Sequence, residues 1–511
     1  MNNYQNMYQE QAPDGALSVT AVQTKPEITY TGAERITAVI MLVLGFLWVR
    51  LALYHVTGVF TTLLYAVLIT AQVIFLKKGG VQFSKTEKLA IAVEYAFSLV
   101  FSVTANELLK ALTVIYLIMA GGLLLLHTTS PDCDILRFLP VSLAKGVLGA
   151  PFVSFSAGAG AITSGARSKG FWKNAGYVVL GLVLAVPVTC IAGALLCSAD
   201  DNMNRLISGL FRFPEEETFL FLFHMGLGIP VGLGLFSALF MAVRKKLTVN
   251  AQECTDMARA CRIVPTPVIY AAVTPLCLLY LLFFFSQLQY FLGGFTGDVS
   301  GFTYAEYARR GFFELCGVCC MNVLVIACMG FFAKRAGEGK ALALRIYASF
   351  LCVSSLLLAG TALAKMFLYI RVYGMTQLRI YTTWFMFLLV IGFAALLVRQ
   401  FKENLNLGRL GVIVFTVMFA LLCFSRPDAW MTRYNAEMYL SGQLEEFDQS
   451  VLYEMSDDAW AGLTAYNGQT LYRLLDADGR RGFTAHTDGT AYDDLWEKLN
   501  LSALELMLYA K

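Results

Sequence analysis

Long apolar segments separated by short polar connections recur along the chain after its first 34 residues. A segment of about 20 apolar residues is long enough to cross the hydrocarbon layer of a membrane as an α-helix. Strands of a transmembrane barrel would instead alternate apolar and polar residues over short stretches. The pattern therefore predicts an all-α, polytopic transmembrane helix bundle with about eleven spans, namely 36–55, 58–75, 89–104, 112–127, 175–197, 218–243, 264–291, 311–332, 341–369, 380–398 and 410–424.

The regions outside these spans divide the chain into three parts. Residues 1–34 are polar and predict a flexible cytoplasmic tail, and residues 35–424 form the transmembrane domain. The longest connection within it, 128–173, is predicted to be a cytoplasmic loop. Its first part, 135–155, is apolar enough either to lie along the membrane interface as an amphipathic helix or to insert. The stretch 154–170 is rich in Gly, Ala and Ser, which favours a linker.

The third part, residues 425–511, is acidic, with 7 Lys and Arg against 15 Asp and Glu. Apolar residues recur at helical spacing in 428–444, 450–466 and 495–509, which predicts a small helical domain. Residues 476–494 are rich in Gly, Asp and Thr and are typical of a loop.

Composition and charge agree with this organisation. The chain is 57% hydrophobic and only 15% charged. Basic residues concentrate in alternate connections, which places them on one side of the membrane and, by the positive-inside rule, in the cytoplasm. An odd number of spans then puts the N-terminus inside and residues 425–511 outside. The five basic clusters are 77–88, 137–173, 244–262, 334–345 and 399–409.

No pattern in the sequence indicates a particular reaction. Cys316, Cys319 and Cys320 have a spacing seen in metal and redox sites, but they lie in an apolar helix without nearby histidines, which favours packing. We expect no metal and no cofactor. No nucleophile stands beside a base, so a non-enzymatic function is favoured. Nothing indicates nucleic-acid binding.

Charged and aromatic residues gather at one mouth of the predicted bundle, around the ends of the spans that begin near 311 and 380 and end near 369. Two interpretations remain open: an outward-facing pocket in which arginines bind an anionic ligand, or an interfacial belt with one structural ion pair between Glu314 and Lys365. The candidate ligand-binding residues are Glu306, Arg309, Arg310, Glu314, Asn322, Lys365, Arg371, Tyr373, Arg379 and Tyr381.

Two further residues are candidates for coupling to a proton or cation. Glu94 is an acid inside a predicted span, where it either carries a coupling role or forms a hydrogen bond between helices. His224 precedes a run of glycines, Gly226 to Gly234, interrupted by Pro230. That run either breaks the helix to line a site at the membrane midplane or permits close helix packing.

Several short motifs resemble a known group of proteins. They include Tyr304-Ala305-Glu306-Tyr307, Tyr373-Gly374 with Leu378-Arg379-Ile380-Tyr381, Arg426-Pro427-Asp428 with Arg433-Tyr434-Asn435, and Ser456-Asp457-Asp458-Ala459. As an ordered set, from about Tyr270 to Leu463, they resemble an uncharacterised family of bacterial integral membrane proteins, the domain of unknown function DUF4173 and its relative DUF4153. The resemblance implies a multi-pass protein of the bacterial cytoplasmic membrane and implies no activity.

Three classes of function stay open from the sequence. A transporter or lipid-handling protein would bind a phospholipid or lipid-phosphate group at the outer mouth. A regulatory membrane protein would sense the envelope through its acidic domain and act on a regulatory or envelope partner. A membrane-embedded transferase is the third class. A protein of any of these three classes would be embedded in the lipid bilayer.

Overall fold

The computed structural model describes residues 29–54, 58–163, 216–295, 312–334, 338–402, 404–490 and 499–509, with five isolated positions between 189 and 203. Regular structure within these residues is helical, and Val264 and Ala333 form an isolated parallel bridge. The all-α class predicted from the hydrophobic pattern is therefore confirmed.

The helices are numbered in chain order. The first part of the chain forms α1 (Gly32–Trp48, continued by a π-helical turn, Val49–Tyr54), α2 (Val59–Lys78), α3 (Lys85–Ser98), α4 (Val100–Val103), α5 (Glu107–Thr129), α6 (Leu139–Leu143), α7 (Ala150–Val153) and α8 (Phe155–Thr163). The central part forms α9 (Glu216–Val243), α10 (Ala251–Ala260), α11 (Thr266–Phe295), α12 (Phe312–Phe332), α13 (Glu338–Tyr373), α14 (Gln377–Phe401) and α15 (Leu407–Phe424). The last part forms α16 (Pro427–Leu440), α17 (Ser450–Glu454), α18 (Asp457–Gly462), α19 (Gly468–Leu474), α20 (Ala477–Thr487) and α21 (Leu501–Tyr509).

Ten helical segments of the described chain are long and apolar enough to cross a membrane, and nine of them coincide with predicted spans. The predicted span 89–104 is helical but broken, because α3 ends at Ser98 and α4 carries the chain on to Val103. The predicted span 175–197 lies almost wholly outside the described residues, as does the N-terminal tail up to residue 28.

The tenth segment, Ile135–Ile162, was not among the predicted spans. It packs against α9, where the Ser237 hydroxyl donates a hydrogen bond to the carbonyl of Ala150 (3.0 Å) and accepts one from the backbone N–H of Ser154 (3.1 Å). These contacts support insertion among the helices. Residues 155–163 form α8, so the predicted linker is wrong for that stretch: its small residues allow close helix packing instead.

The helix ends fall on two faces of the bundle. On the face that carries residues 425–511, called the C-terminal face, the backbone N–H of Val59 donates to the carbonyl of Leu499. The opposite face, called the basic face, carries the connections after α2, α5, α9 and α14. Two ion pairs each join a connection there to the start of another helix: Arg244, after α9, lies 2.9 Å from Glu34 of α1, and Asp134, after α5, lies 3.3 Å from Arg409 of α15.

Helix α1 illustrates how local sequence and long-range contact reinforce each other on the basic face. The Thr31 hydroxyl accepts the backbone N–H of Glu34, and the Glu34 carboxylate accepts the backbone N–H of Thr31 at 2.8 Å, which completes a capping box. The same carboxylate accepts hydrogen bonds from the Arg244 guanidinium. One buried acid thus begins α1 and holds the end of α9 beside it.

Close packing between α1 and α9 explains the glycine run of α9. A Cβ at Gly228 would lie 2.6 Å from Cα of Phe46, and one at Gly232 would lie 2.5 Å from the carbonyl oxygen of Met41. The helix continues through Pro230 to Val243. Of the two interpretations of this run, the contacts support close helix packing, as small residues provide in membrane proteins.

The described residues from 425 to 509 form a helical unit with its own apolar core around Trp460, which is 2% exposed. Helices are found in all three predicted stretches, although 450–466 divides into α17, α18 and a short 3₁₀ turn. Of the stretch 495–509, residues 495–498 lie outside the described residues and α21 begins at Leu501. The loop predicted for 476–494 is wrong for residues 477–487, which form α20. The Asp476 carboxylate caps this helix by accepting the backbone N–H of Gly479 at 2.7 Å.

Candidate functional site

A buried polar junction joins the C-terminal unit to the transmembrane helices. Its first member is Asp458, in the first turn of α18, which is fully buried. One carboxylate oxygen accepts the backbone N–H of Ala105 at 3.0 Å and the hydroxyl of Thr104. Both partners lie in the short connection between α4 and α5. An acid of the C-terminal unit therefore holds a turn between two membrane helices.

Arg426 supplies the compensating charge for Asp458. It lies between α15 and α16 in a left-handed conformation, with φ of 51°. Its Nε lies 3.3 Å from the second oxygen of Asp458, and its Nη1 donates to Glu505 at 2.8 Å. The Ser502 hydroxyl contacts both Arg426 and Asp458. Because α21 supplies Ser502 and Glu505, the junction also anchors the last described helix.

The second buried acid of the junction is Asp428, in the first turn of α16. Its carboxylate accepts hydrogen bonds from Asn106 (2.8 Å), Gln377 (3.0 Å) and Ser456 (2.6 Å). Burial raises the pKa of Asp428, and the nearby Asp458 acts in the same direction, whereas these three donors oppose the rise. Asp428 is therefore a buried acid whose protonated form is favoured by burial.

Asn106 lies where the two halves of the junction meet. Its side-chain oxygen caps α5 by accepting the backbone N–H of Leu109 at 3.0 Å. Its side-chain nitrogen donates to Asp428 and to the Tyr381 hydroxyl, the latter at 2.9 Å. One asparagine thus begins a membrane helix, binds α14 and binds the C-terminal unit.

A second contact joins α16 to the connection between α13 and α14. The Asn435 side chain accepts the backbone N–H of Met375 at 2.7 Å and donates to the Met375 carbonyl at 2.8 Å. The preceding Gly374 has φ of 74°, and a Cβ there would lie 2.7 Å from the Asn435 oxygen. Glycine is required by both the conformation and the close approach.

The predicted ligand-binding residues at the mouth are not brought together as one pocket by the described part of the chain. Glu306, Arg309 and Arg310 lie outside the described residues. The Arg379 side chain forms hydrogen bonds within the protein, because it donates to the Tyr373 and Gly374 carbonyls at the end of α13. Its guanidinium also lies 4.1 Å from the centre of the Tyr369 ring.

The other members of that set separate into surface and interior positions. Arg371 and Tyr373 are exposed in the last turn of α13, while Tyr381 belongs to the junction. Glu314 is exposed on α12 and acts electrostatically on the half-buried Lys365 of α13.

Asn322 is fully buried between α11, α12 and α13. It accepts a hydrogen bond from the Tyr280 hydroxyl at 2.6 Å and donates to Ser355 at 2.8 Å. These contacts make Asn322 a link between three membrane helices.

The two coupling candidates lie in different places. His224 is buried, with its ring centre 4.7 Å from that of Tyr54 at the end of the first span. Glu94 is 2% exposed inside the packing of α2, α3 and α5, and its Oε1 has no hydrogen-bond partner among the described residues.

The junction was missed by reasoning from the sequence, although a signal for it was present. Arg426, Asp428, Asn435, Asp458 and Gly374 all occur in the motifs that carry the family resemblance. An acid in the first turn of a helix is usually explained by the helix dipole. The buried partner of Asp458, Thr104, lies more than 300 positions away, and no pattern in the nearby sequence indicates the contact.

The fold defines a polytopic helical membrane protein with a helical C-terminal unit packed on one face of the bundle. Residues 91–466 match the family model described as Domain of unknown function (DUF4153), and the chain belongs to this family. The match extends well before Tyr270, where the resemblance in the sequence began, and it includes both sides of the junction. No curated protein and no solved structure matches the chain.

Proposed function

We propose that this protein is a regulatory protein of the bacterial cytoplasmic membrane, which senses a condition in the envelope through residues 425–511 and transmits it through its helices to the basic face. The observation that supports this is the buried junction. Asp458 holds the connection between α4 and α5, and Asp428 holds the starts of α5 and α14.

Burying Asp428 and Asp458 away from water costs free energy. Each buried charge is expensive unless it is paired and fully hydrogen-bonded. A merely tethered domain would not need two buried acids inserted between membrane helices. With them in place, the C-terminal unit cannot shift without moving the starts of α5 and α14 or breaking the hydrogen bonds of Asp428 and Asp458.

Transmission of this kind is testable by hydrogen–deuterium exchange of the full chain in lipid nanodiscs. Asp458→Asn should raise exchange at residues 104–106 and also in the basic-face connections 128–134 and 245–250. The matched control is Asp457→Asn, the neighbouring acid, which should change neither. If exchange rises only at the C-terminal face in Asp458→Asn, the transmission proposal is wrong.

The proposal also requires the C-terminal unit to lie outside the cytoplasm. The concentration of basic residues on the opposite face supports this orientation. A reporter that is active only outside the cytoplasm, such as alkaline phosphatase, should be active when fused after Lys511. Activity of a cytoplasmic reporter at that position would reverse the orientation and the direction of sensing.

A second candidate function is binding of an anionic ligand, such as a phospholipid or lipid-phosphate head group, at the mouth of the bundle. The observation that favours it is Arg371, an exposed cation beside the exposed Tyr373. Arg371→Gln should reduce co-purified anionic lipid in native mass spectrometry, whereas Lys402→Gln, an exposed cation on the basic face, should not. Equal lipid content in all three proteins would exclude this candidate.

A further inference from the structure

The side chain of Glu94 is the most unusual polar group in the membrane-embedded part of the described chain. It lies on α3 within the packing of α2, α3 and α5, and is 2% exposed. Its Oε1 has no hydrogen-bond partner among the described residues, and no described cation lies close enough to compensate a charge. An acid inside a membrane is expensive, and such residues commonly carry a function.

A second unpartnered polar group lies in the same three-helix packing. The side-chain nitrogen of Gln72, on α2, is also buried without a hydrogen-bond partner. The side-chain oxygen of Gln72 approaches α5 at Gly121. A contact of 2.7 Å between Thr70 and Tyr95 aligns α2 and α3 here. An unpartnered acceptor on α3 and an unpartnered donor on α2 therefore occur in one three-helix packing.

Aromatic rings close this region on the side of the C-terminal face. The Tyr116 ring, which interacts electrostatically with Glu94, lies 4.1 Å from the Phe97 ring, and Phe97 stacks on Phe419. The Tyr116 hydroxyl contacts Thr416 at 3.0 Å. Among the described residues, Tyr116 on α5 is thus a titratable group that interacts with Glu94, and Gln72 and Thr416 from α2 and α15 are neutral. Packed aromatic rings therefore lie between Glu94 and the C-terminal face.

The other side of Glu94 leads toward the basic face along the same helix. Glu87 lies seven residues earlier on α3, on the same helical face and about 10 Å away along the axis. Its carboxylate lies 2.8 Å from Nδ1 of His127, whose side chain is 40% exposed. A titratable imidazole open to solvent is therefore joined to a buried acid, with Glu94 two turns deeper.

We propose that Glu94 is a proton-binding site that exchanges its proton with the basic face through the Glu87–His127 pair. A proton from solvent binds the His127 imidazole, passes to the Glu87 carboxylate and then reaches the Glu94 carboxylate, which becomes a neutral acid. The reverse sequence releases it, and no electrons are transferred. Since the two carboxylates lie about 10 Å apart along α3, the transfer requires a chain of waters, and the unpartnered side-chain nitrogen of Gln72 is one polar group that such a water could bind. The site is separate from the junction and does not depend on the regulatory proposal.

Infrared spectroscopy of the full chain in lipid nanodiscs tests the proposal, because a protonated carboxyl in apolar surroundings has its own carbonyl band. Between about pH 5 and about pH 9 that band should appear and disappear reversibly in the unaltered protein. It should be lost in Glu94→Gln and retained in Glu107→Gln, an exposed acid on α5. In deuterated water, His127→Gln and Glu87→Gln should each slow the isotope shift of the band several-fold.

A purely structural role for Glu94 gives different results. A permanently neutral acid would show a band of constant intensity at every pH, and a permanently ionised one would show none; either outcome overturns the proposal. A titrating band that sodium weakens at constant ionic strength would support proton binding at Glu94 and would add sodium as a competitor for the same carboxylate.

A second measurement covers the case in which Glu94→Gln does not fold. Dicyclohexylcarbodiimide enters membranes and reacts with protonated carboxyls. In the unaltered protein it should modify Glu94 faster at acid than at alkaline pH, as detected by peptide mass spectrometry. Modification at a rate independent of pH, or of other acids only, would overturn the proposal.

Discussion

Asp458 accepts a hydrogen bond from the backbone N–H of Ala105, although 353 positions separate the two residues in the sequence. This bond connects the C-terminal unit to the turn between α4 and α5. It makes the stability of the membrane helices depend on a residue that lies outside them.

Replacing Asp458 should therefore destabilise the whole protein. Asp458→Asn leaves Arg426 with Glu505 as its remaining acid and weakens the bonds to Thr104 and Ala105. We expect a loss of about 3 kcal/mol in unfolding free energy, measured by thermal or denaturant unfolding in detergent. Asp457→Asn, on the same helix, should cost less than about 1 kcal/mol. Equal losses for both variants would show that the junction does not stabilise the protein.

The pKa of Asp428 predicts a specific pH dependence. Because burial raises that pKa in the folded state, the protonated form is favoured by folding. The stabilising contribution of protonation is then fully present below the ordinary value of about 3.9 and is lost as pH rises through the raised folded pKa. The stability of the unaltered protein relative to Asp428→Asn should fall over that window. A stability difference that does not change with pH would show that the three donors cancel the effect of burial, and one that rises with pH would show that they outweigh it.

Close packing between α1 and α9 predicts a penalty for added volume at Gly232. Gly232→Ala places a methyl group against the Met41 carbonyl and should cost about 1–3 kcal/mol. The control is Gly392→Ala in α14, where a Cβ meets nothing within 4 Å and helix propensity should make the change neutral or slightly stabilising. Thermal unfolding of the two variants side by side gives the comparison. A neutral Gly232→Ala would mean that α1 and α9 can separate without loss.

The contacts of the Arg379 side chain predict that it stabilises the fold, whereas the exposed Arg371 does not. Arg379→Gln removes hydrogen bonds to two carbonyls at the end of α13 and a cation–π contact with Tyr369. The expected loss is about 1–2 kcal/mol, whereas Arg371→Gln should leave the unfolding temperature unchanged. If the two variants behave alike, both arginines belong to the surface.

Much of the fold could be predicted from the hydrophobic pattern because each membrane helix carries its own signal in length and apolar content. The segment Ile135–Ile162 was not predicted as a span, because Pro140 and Pro151 interrupt its apolar residues. The loop prediction for 476–494 followed glycine and aspartate content, yet Asp476 begins α20 by capping it.

The candidate site was harder to predict because it is made by pairs distant in sequence. Arg379 could be identified as a cation at a helix end, but its use in capping α13 depends on the turn at Gly374. Asp428 and Asp458 occur in recognisable motifs, yet their partners Asn106 and Thr104 lie more than 300 positions earlier. Glu94 could be identified from the sequence, because an acid within an apolar span is conspicuous without any partner.

The anchoring of α21 in the junction has a consequence for how the protein is made. Ribosomes translate the α4–α5 turn long before Arg426, Asp458 and Ser502, so the membrane helices enter the bilayer while that turn lacks its partners. The backbone N–H of Val59, at the start of α2, likewise lacks its hydrogen-bond acceptor until Leu499 has been translated. Nascent chains should therefore remain incompletely assembled, and open to membrane proteases, until the C-terminal unit has been synthesised and docked.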